Sequence, residues 1–502
     1  MSDAPARPGA DPTPADPGTT AGSTAGSAVG DWRLARPEAH APGMPLVTVI
    51  GDGQLARMTQ QAGIELGLTV RLLAAAPDAS AAQATGDVVL GDYTDPAHVR
   101  AVAADAAAVT FDHEHVPNEI LDELIADGVN VQPQPSALIN AQDKLVMRRR
   151  LRELGAPVPP FLDITSVEDA TGFHDAVDGA VCLKARRGGY DGKGVWFPEG
   201  REETASLVAD LLEQGVPLMA EKKVTLVREL SAMVARRPSG ECVAWPVVES
   251  VQRDGVCAEA VAPAPCDGSD GARAVLRDAE ALAVDVAREL GVTGVLAVEL
   301  FETTDDAGQP QIIVNELAMR PHNTGHWTQD GCVTSQFEQH LRAVLDRPLG
   351  STALTAPVTV MANVLGGATD PATPLPERMD EVWRRFPGAR IHVYGKEWRP
   401  GRKLGHVTMT LPVGVAGGGV VPSPERGAGE ATGPSEDQVA TLRAQARLAA
   451  GYLVDAEWED GWAPSDPPAR PRPDPDPAAR PQPGTTGTPH PRGDSPTPTD
   501  LT

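Results

Sequence analysis

The run LVTVI at positions 46–50 is apolar and β-branched, and it breaks at Gly51-Asp52-Gly53 before a helical pattern, QLARMTQQAGIELG. A strand that stops on glycines and turns at once into a helix opens a βα unit, which admits few topologies. Three more strand patterns follow, TVRLLA (69–74), VVLGD (88–92) and AAVTFD (107–112). This order predicts a parallel sheet with helices on both faces, closing near Pro135. The chain has 502 residues, enough for about two to four domains.

From Ala141 a basic helix, DKLVMRRRLRELG, leads into a region of another kind. The runs VCLKA (181–185), PLMAEKKV (217–224), ELSAMVARR (229–237) and CVAWPVVES (242–250) read as strands without long helices between them, which predicts an antiparallel sheet. A helix at 274–291 precedes two further strands, GVLAVELF (294–301) and QIIVNELA (311–318). Three Pro- and Gly-rich stretches, 1–43, 414–435 and 463–502, lack the apolar surface that offsets ordering entropy. They are expected to be two disordered tails and a flexible insertion. The expected domains are therefore 44–140, 141–345 and 346–462. Met44, just before the first strand, is a candidate translation start.

Net charge is −26 and the sequence pI is about 4.8. A chain this acidic is repelled by nucleic acid and by anionic membranes, so an anionic substrate needs a local cluster of cations. No apolar run reaches the ~18 residues of a membrane span, and the first residues lack a signal-peptide core. The five cysteines are scattered and none has CxxC spacing. They are expected to be buried thiols of a cytosolic protein.

Four clusters carry chemistry. GDGQLA, 51–56, fits a phosphate-binding glycine turn, though a plain tight turn explains it too. An NAD site is disfavoured because Asp78 comes too late for the acid after the second strand. In KARRGGYDGKG, 184–194, four glycines lie among Lys184, Arg186, Arg187 and Lys193, which suits closure over a triphosphate. A solvated basic turn would not explain why cations gather there in so acidic a chain. Glu299 and Glu316 are carboxylates inside apolar strand runs, costly to bury unless paired or on a metal, and with Asn315 they suit a hard cation. His322 and His326 follow in MRPHNTGHW, open to metal ligation, to acid–base or small-anion contact, or to structural hydrogen bonding. A substrate-side contact is favoured. Lys396, Arg399, Arg402 and Lys403 crowd around a Pro-Gly turn, fit for a phosphomonoester or carboxyphosphate, or for a solvated basic turn.

Read together, GDGQLARM, TFDHEHVP, KARRGGYDGKG, NELAMRPHNTGHWT and KEWRPGRKLGH resemble the 5-(carboxyamino)imidazole ribonucleotide synthase family. The resemblance runs from about Met44 to Trp462, outside the insertion. It implies a mixed α/β and α+β chain: an ATP-grasp fold with an N-terminal parallel-sheet, Rossmann-like domain and a small C-terminal domain. It also implies a cytoplasmic homodimer that uses ATP with Mg²⁺, or Mn²⁺ in its place. Such an enzyme carboxylates aminoimidazole ribonucleotide with bicarbonate in purine biosynthesis. The resemblance gives Lys144 and Lys184 to ATP. The loop Gly188, Gly189, Tyr190, Asp191, Gly192, Lys193 and Gly194 closes over the phosphates, with Tyr190 and Asp191 reaching towards the imidazole nucleotide. Glu221, Lys222, Lys223 and Val224 match the strand that takes the adenine edge, and Glu229 the acid on the ribose. Glu299 and Glu316 match the metal ligands, with Asn315 beside them. Gln54, Glu114, His322, Asn323, Lys396, Arg402 and Lys403 match the substrate pocket. The resemblance counts Tyr190, Asp191, Lys193, His322, Asn323, Lys396, Arg402 and Lys403 as catalytic. Ala56 and Asn140 depart from the family pattern, at a glycine and at an ATP-contacting arginine. Rival readings are an ATP-grasp ligase with another acceptor, a nicotinamide-dependent oxidoreductase, and an inactive nucleotide-binding regulator.

Overall fold

The computed structural model describes residues 40–189, 193–305, 307–412 and 434–463. Nearly all of the two expected tails and of the insertion lie outside them, as do Tyr190, Asp191 and Gly192. Strand β1 (Leu46–Ile50) leads through the glycine turn into helix α1 (Gln54–Glu65), then β2 (Thr69–Ala74), β3 (Asp87–Leu90), α2 (Pro96–Ala103), β4 (Ala108–Phe111) and α3 (Asn118–Ala126). The strands are all parallel in the order β3-β2-β1-β4. Alternate residues of β1 face opposite sides, so Val49 packs with Ala56 of α1, while Ile50 packs with Val99 of α2 and Leu121 of α3. The expected parallel sheet with helices on both faces is thus present.

Helix α4 (Pro135–Gln142) ends at Asp143, whose carboxylate caps α5 (Lys144–Glu153) by accepting from Leu145 and Val146 N–H at 3.0 and 3.2 Å. After it come β5 (Phe161–Ile164), α6 (Val167–Ala176), β6 (Val181–Ala185), β7 (Val195–Trp196), α7 (Arg201–Glu213) and β8 (Leu218–Lys222). They form an antiparallel sheet in the order β5-β8-β6-β7. The expectation that no long helix interrupts these strands fails at α7. There Thr204, Val208 and Leu211 recur at helical spacing and are the buried face.

The remaining strands are β9 (Arg228–Arg236), β10 (Cys242–Ala244), β11 (Val248–Arg253) and β12 (Val256–Ala262). Helix α8 (Asp270–Glu289) then precedes β13 (Gly294–Thr304) and β14 (Pro310–Ala318). The expected single strand at 242–250 is two, because Pro246 lacks the N–H a ladder needs. Helices α9 (Thr328–Gly331) and α10 (Gln336–Val344) lead to β15 (Thr359–Leu365), α11 (Leu375–Arg385), β16 (Arg390–Val393), β17 (Lys403–Thr410) and α12 (Glu436–Asp455). One antiparallel sheet runs β14-β13-β9-β11-β12-β15-β17-β16, with β10 beside β9. The β12–β15 pairing carries it from the central region into the C-terminal one. All five cysteines are free, but only Cys182, Cys257 and Cys332 are buried; Cys242 is half-buried and Cys266 exposed, which corrects the uniformly buried reading.

Candidate active site

The crevice at the carboxyl ends of β1 and β4 is where an open parallel sheet places ligands. Here the glycine turn wraps a carboxylate of its own chain. Gly53 N–H donates to Asp112 Oδ2 at 2.6 Å. Gly51 sits at φ +122°, and a Cβ there would stand 1.7 Å from Asp112 Oδ1, so only glycine fits. The Gly53 N–H is therefore committed to Asp112 and is not open to a phosphate. Burial pushes the Asp112 acid up to about 6, against the pull of the Gly53 bond. Beside it, Lys396 Nζ donates to Gln54 Oε1. Burial, then the charge of Arg402, lowers Lys396 to about 8.

A cleft of about 1100 Å³ opens from this point and reaches the second sheet. Gln54, Glu114, Lys144, Lys184, Gly188, Gly189 and the 221–224 segment line it. So do Glu229, Glu299, Asn315, Glu316, His322, Asn323 and Lys403. Lys193 and Gly194 sit on the far limb of the glycine hairpin, where Gly194 C=O accepts from Ala185 N–H at 2.8 Å. Lys396 and Arg402 are not among the lining residues; Arg402 donates to Glu397 C=O at 3.1 Å. Tyr190, Asp191 and Gly192 fall outside the described residues.

Glu221 is buried between Arg148 Nε at 2.7 Å and Lys184 Nζ at 2.8 Å. Burial raises its acid, but Lys184 and then Arg148 outweigh that and hold it at about 2. Lys222 and Lys223 N–H donate to Pro160 and Ala180 carbonyls, each at 2.8 Å, and Lys223 Nζ sits over the Phe197 ring.

Glu299 and Glu316 are direct partners in the β13–β14 register, so their carboxylates leave the sheet on one face. His322 Nε2 lies 3.1 Å from Glu299 and Lys144 Nζ 2.5 Å from Glu316. Burial raises Glu299, yet the His322 hydrogen bond and charge bring it below the ordinary carboxylate range. Burial, then the Glu299 charge, lifts Glu229 to about 7. No cluster of three or more His, Cys, Asp or Glu able to hold a metal is present among the described residues. Two carboxylates facing a triphosphate-sized cleft still fit Mg²⁺, which keeps its waters and takes one or two carboxylates plus phosphate oxygens. His326 turns away into the core. It is fully buried, bonded to Gln336 Nε2 at 3.0 Å and 4.9 Å from the His406 ring, so of the three readings the structural one holds for it.

Family models match three consecutive stretches: a ribonucleotide synthetase preATP-grasp domain at 44–142, an ATP-grasp domain at 149–337, and a phosphoribosylaminoimidazole carboxylase C-terminal domain at 359–412. The N5-carboxyaminoimidazole ribonucleotide synthase of Corynebacterium ammoniagenes is 58% identical over 427 residues, covering 85% of this chain and 96% of that one. The chain belongs to the N5-carboxyaminoimidazole ribonucleotide synthase family. The crystal structure of the Thermus thermophilus synthetase has a TM-score of 0.67 at 34% identity, covering 83% of this chain and all of that one. The Aspergillus clavatus synthase in complex with ADP and 5-aminoimidazole ribonucleotide has a TM-score of 0.65 at 30% identity, covering 74% and 94%. These likenesses bear out the ATP-grasp fold and do not favour the oxidoreductase or another acceptor.

Within this synthase family fold, two residues of the cleft, Arg320 and Asp112, and one buried behind it, Arg148, were not singled out from the sequence. Arg320 donates from Nε to Glu114 at 2.9 Å, so Glu114 faces an arginine before any substrate. Its signal was an arginine two residues past the β14 strand and four past an acid in that strand. Arg148 is fully buried in what read simply as a basic helix; its signal was an arginine three residues from both Leu145 and Leu151, which are buried on α5. Asp112 stood in the quoted TFDHEHVP string, but nothing in the sequence tied it to Gly51, 61 positions earlier by number.

Proposed function

We infer that this chain carboxylates 5-aminoimidazole ribonucleotide with bicarbonate, consuming ATP and releasing ADP and phosphate by way of carboxyphosphate, in de novo purine biosynthesis. The observation that carries the reading is the single cleft in which the basic glycine hairpin and the Glu299–Glu316 pair meet. Lys184 and Lys144 hold ATP phosphates, with Gly188 to Gly194 as the flap, including Tyr190 and Asp191. Val224 N–H takes the adenine edge, since the Lys222 and Lys223 amides are committed elsewhere. Glu229 takes the ribose hydroxyls, and in the acid form, which burial sustains up to about 7, it can donate as well as accept.

A bicarbonate oxygen attacks the γ-phosphorus as the bond to the β-bridging oxygen breaks. His322, Asn323 and Arg320 orient the bicarbonate. Carboxyphosphate then either loses phosphate to give CO₂ or reacts directly; on both routes the exocyclic amine of the nucleotide bonds to the carboxyl carbon and gives up a proton, and phosphate is the leaving group. Lys396, Arg402 and Lys403, with Gln54, hold the nucleotide's phosphomonoester. Glu299 and Glu316, with Asn315 beside them, would hold Mg²⁺, which supplies charge neutralisation on the transferring phosphoryl group.

The same reading divides the chain at 44–140, 141–345 and 346–462 and makes it a cytoplasmic homodimer. No helix among the described residues is long and apolar enough to cross a membrane. ADP release from the purified protein, with bicarbonate and with or without aminoimidazole ribonucleotide, tests the assignment. Stimulation by the nucleotide is expected; none would remove the substrate. Sedimentation velocity tests the dimer.

A further inference from the structure

Gln336, the first residue of α10, is completely buried, yet it belongs to none of the groups assigned above. Its side chain bonds both backbone groups of one residue. Oε1 accepts from His322 N–H at 2.7 Å, and Nε2 donates to His322 C=O at 2.8 Å. The fixed polarity of a peptide settles which end of the amide faces which group. Nε2 also reaches His326 Nδ1 at 3.0 Å, and Gln336 N–H donates to Thr328 Oγ1 at 2.9 Å. A Cβ on Gly325 would stand 2.5 Å from Gln336 Oε1, so the turn is closed down on the amide.

The clamped residue is the one whose imidazole faces Glu299. Thr324 N–H points at His322 Nδ1, at 3.4 Å, and Thr324 Oγ1 lies 2.8 Å from the same nitrogen. With Nδ1 an acceptor, the proton sits on Nε2, 3.1 Å from Glu299. Thr324 Oγ1 is in turn anchored on Ser231 Oγ at 2.8 Å. The ring and its backbone are thus held by separate groups, and the backbone by Gln336.

We propose that Gln336 is a positioning residue for the reaction, fixing through the His322 backbone where that imidazole meets bicarbonate. The inference rests on the reading of His322 given above. On that reading the adenine and the phosphates held by Lys184 lie against β6 and the 221–224 segment of another sheet, and His322 meets the ATP side only through Glu299, so the clamp acts chiefly on bicarbonate.

The test uses the full chain with Gln336→Met and Gln336→Glu, measuring ADP release against bicarbonate and against ATP. Methionine has the length but no hydrogen bonds, so KM for bicarbonate is expected to rise about tenfold while KM for ATP stays within about twofold. A protonated glutamic acid keeps both bonds, whereas its anion cannot donate to the His322 carbonyl. Relative to wild type at the same pH, Gln336→Glu is therefore expected near normal at about pH 6 and close to the methionine variant by about pH 9. An unchanged bicarbonate KM in folded Gln336→Met, or an equal rise for ATP, overturns the proposal. Should that variant fail to fold, a pH-independent ratio for Gln336→Glu overturns it alone. Wild-type protein without bicarbonate-dependent ADP release would instead remove the parent reading.

Discussion

Lys184 Nζ on β6 lies 3.4 Å from Asn315 Oδ1 on β14, so the sheet bearing the glycine hairpin touches the sheet bearing the two acids. That contact joins elements 131 positions apart in the chain. It brings the cations that suit a triphosphate up to the carboxylates that suit its metal.

The acid pair gives the sharpest activity prediction. Glu316→Gln keeps the shape but removes the charge, and ADP release should fall by at least about 100-fold. Steady-state assays across a divalent-cation titration measure it. Near-normal turnover would mean that the metal acids are elsewhere.

Arg148 offers a stability prediction. It and Lys184 are the two cations on a carboxylate that is 3% exposed. Arg148→Met should destabilise the chain by about 3 kcal/mol, because a buried charge loses a partner. Adding Glu221→Gln should recover part of that loss. Urea denaturation of the single and double variants reads both, and a double variant no more stable than the single one refutes the pairing argument.

Glu229 gives a pH dependence of stability. Its folded value, about 7, lies above the ordinary value of 4.5. The folded state therefore holds a proton more tightly, and this stabilisation is full below the unfolded value and lost as pH rises through the folded one. Glutamine never ionises. The melting temperature of Glu229→Gln should gain on wild type between about pH 4.5 and 7 and level off above. A constant difference over that window would place Glu229 in a less buried setting.

Lys396 gives a pH dependence of binding. Lowered to about 8, it carries its charge below that pH and sheds it above. KM for the imidazole nucleotide should rise above about pH 8, and Lys396→Arg, charged throughout, should shift the rise to higher pH. Identical profiles for the two proteins would separate Lys396 from the phosphate.

Much of this architecture was legible in residue order. β1, α1 and β2 were readable because glycines punctuate a change of hydrophobic period from two to 3.6. Helix α7 was missed because only two of its three buried positions, Val208 and Leu211, are apolar, the third being Thr204. The break at Pro246 was missed because the apolar run continues through it. In the site, acids inside apolar strands stood out at once, since burial makes them costly. Arg148 and Arg320 did not stand out, because each looks ordinary until its carboxylate partner is known.

Taken alone, the order of residues determined the strand and helix periods, the glycine hairpin with its cations, and the pair of strand carboxylates. These are local properties, set by side-chain spacing and by what water will tolerate. The partners were decided only by the tertiary structure: Gly53 with Asp112, Arg148 with Glu221, Glu114 with Arg320, and Gln336 with His322. Such pairs depend on register and sheet packing between distant segments, and no local pattern encodes a distance across a cleft.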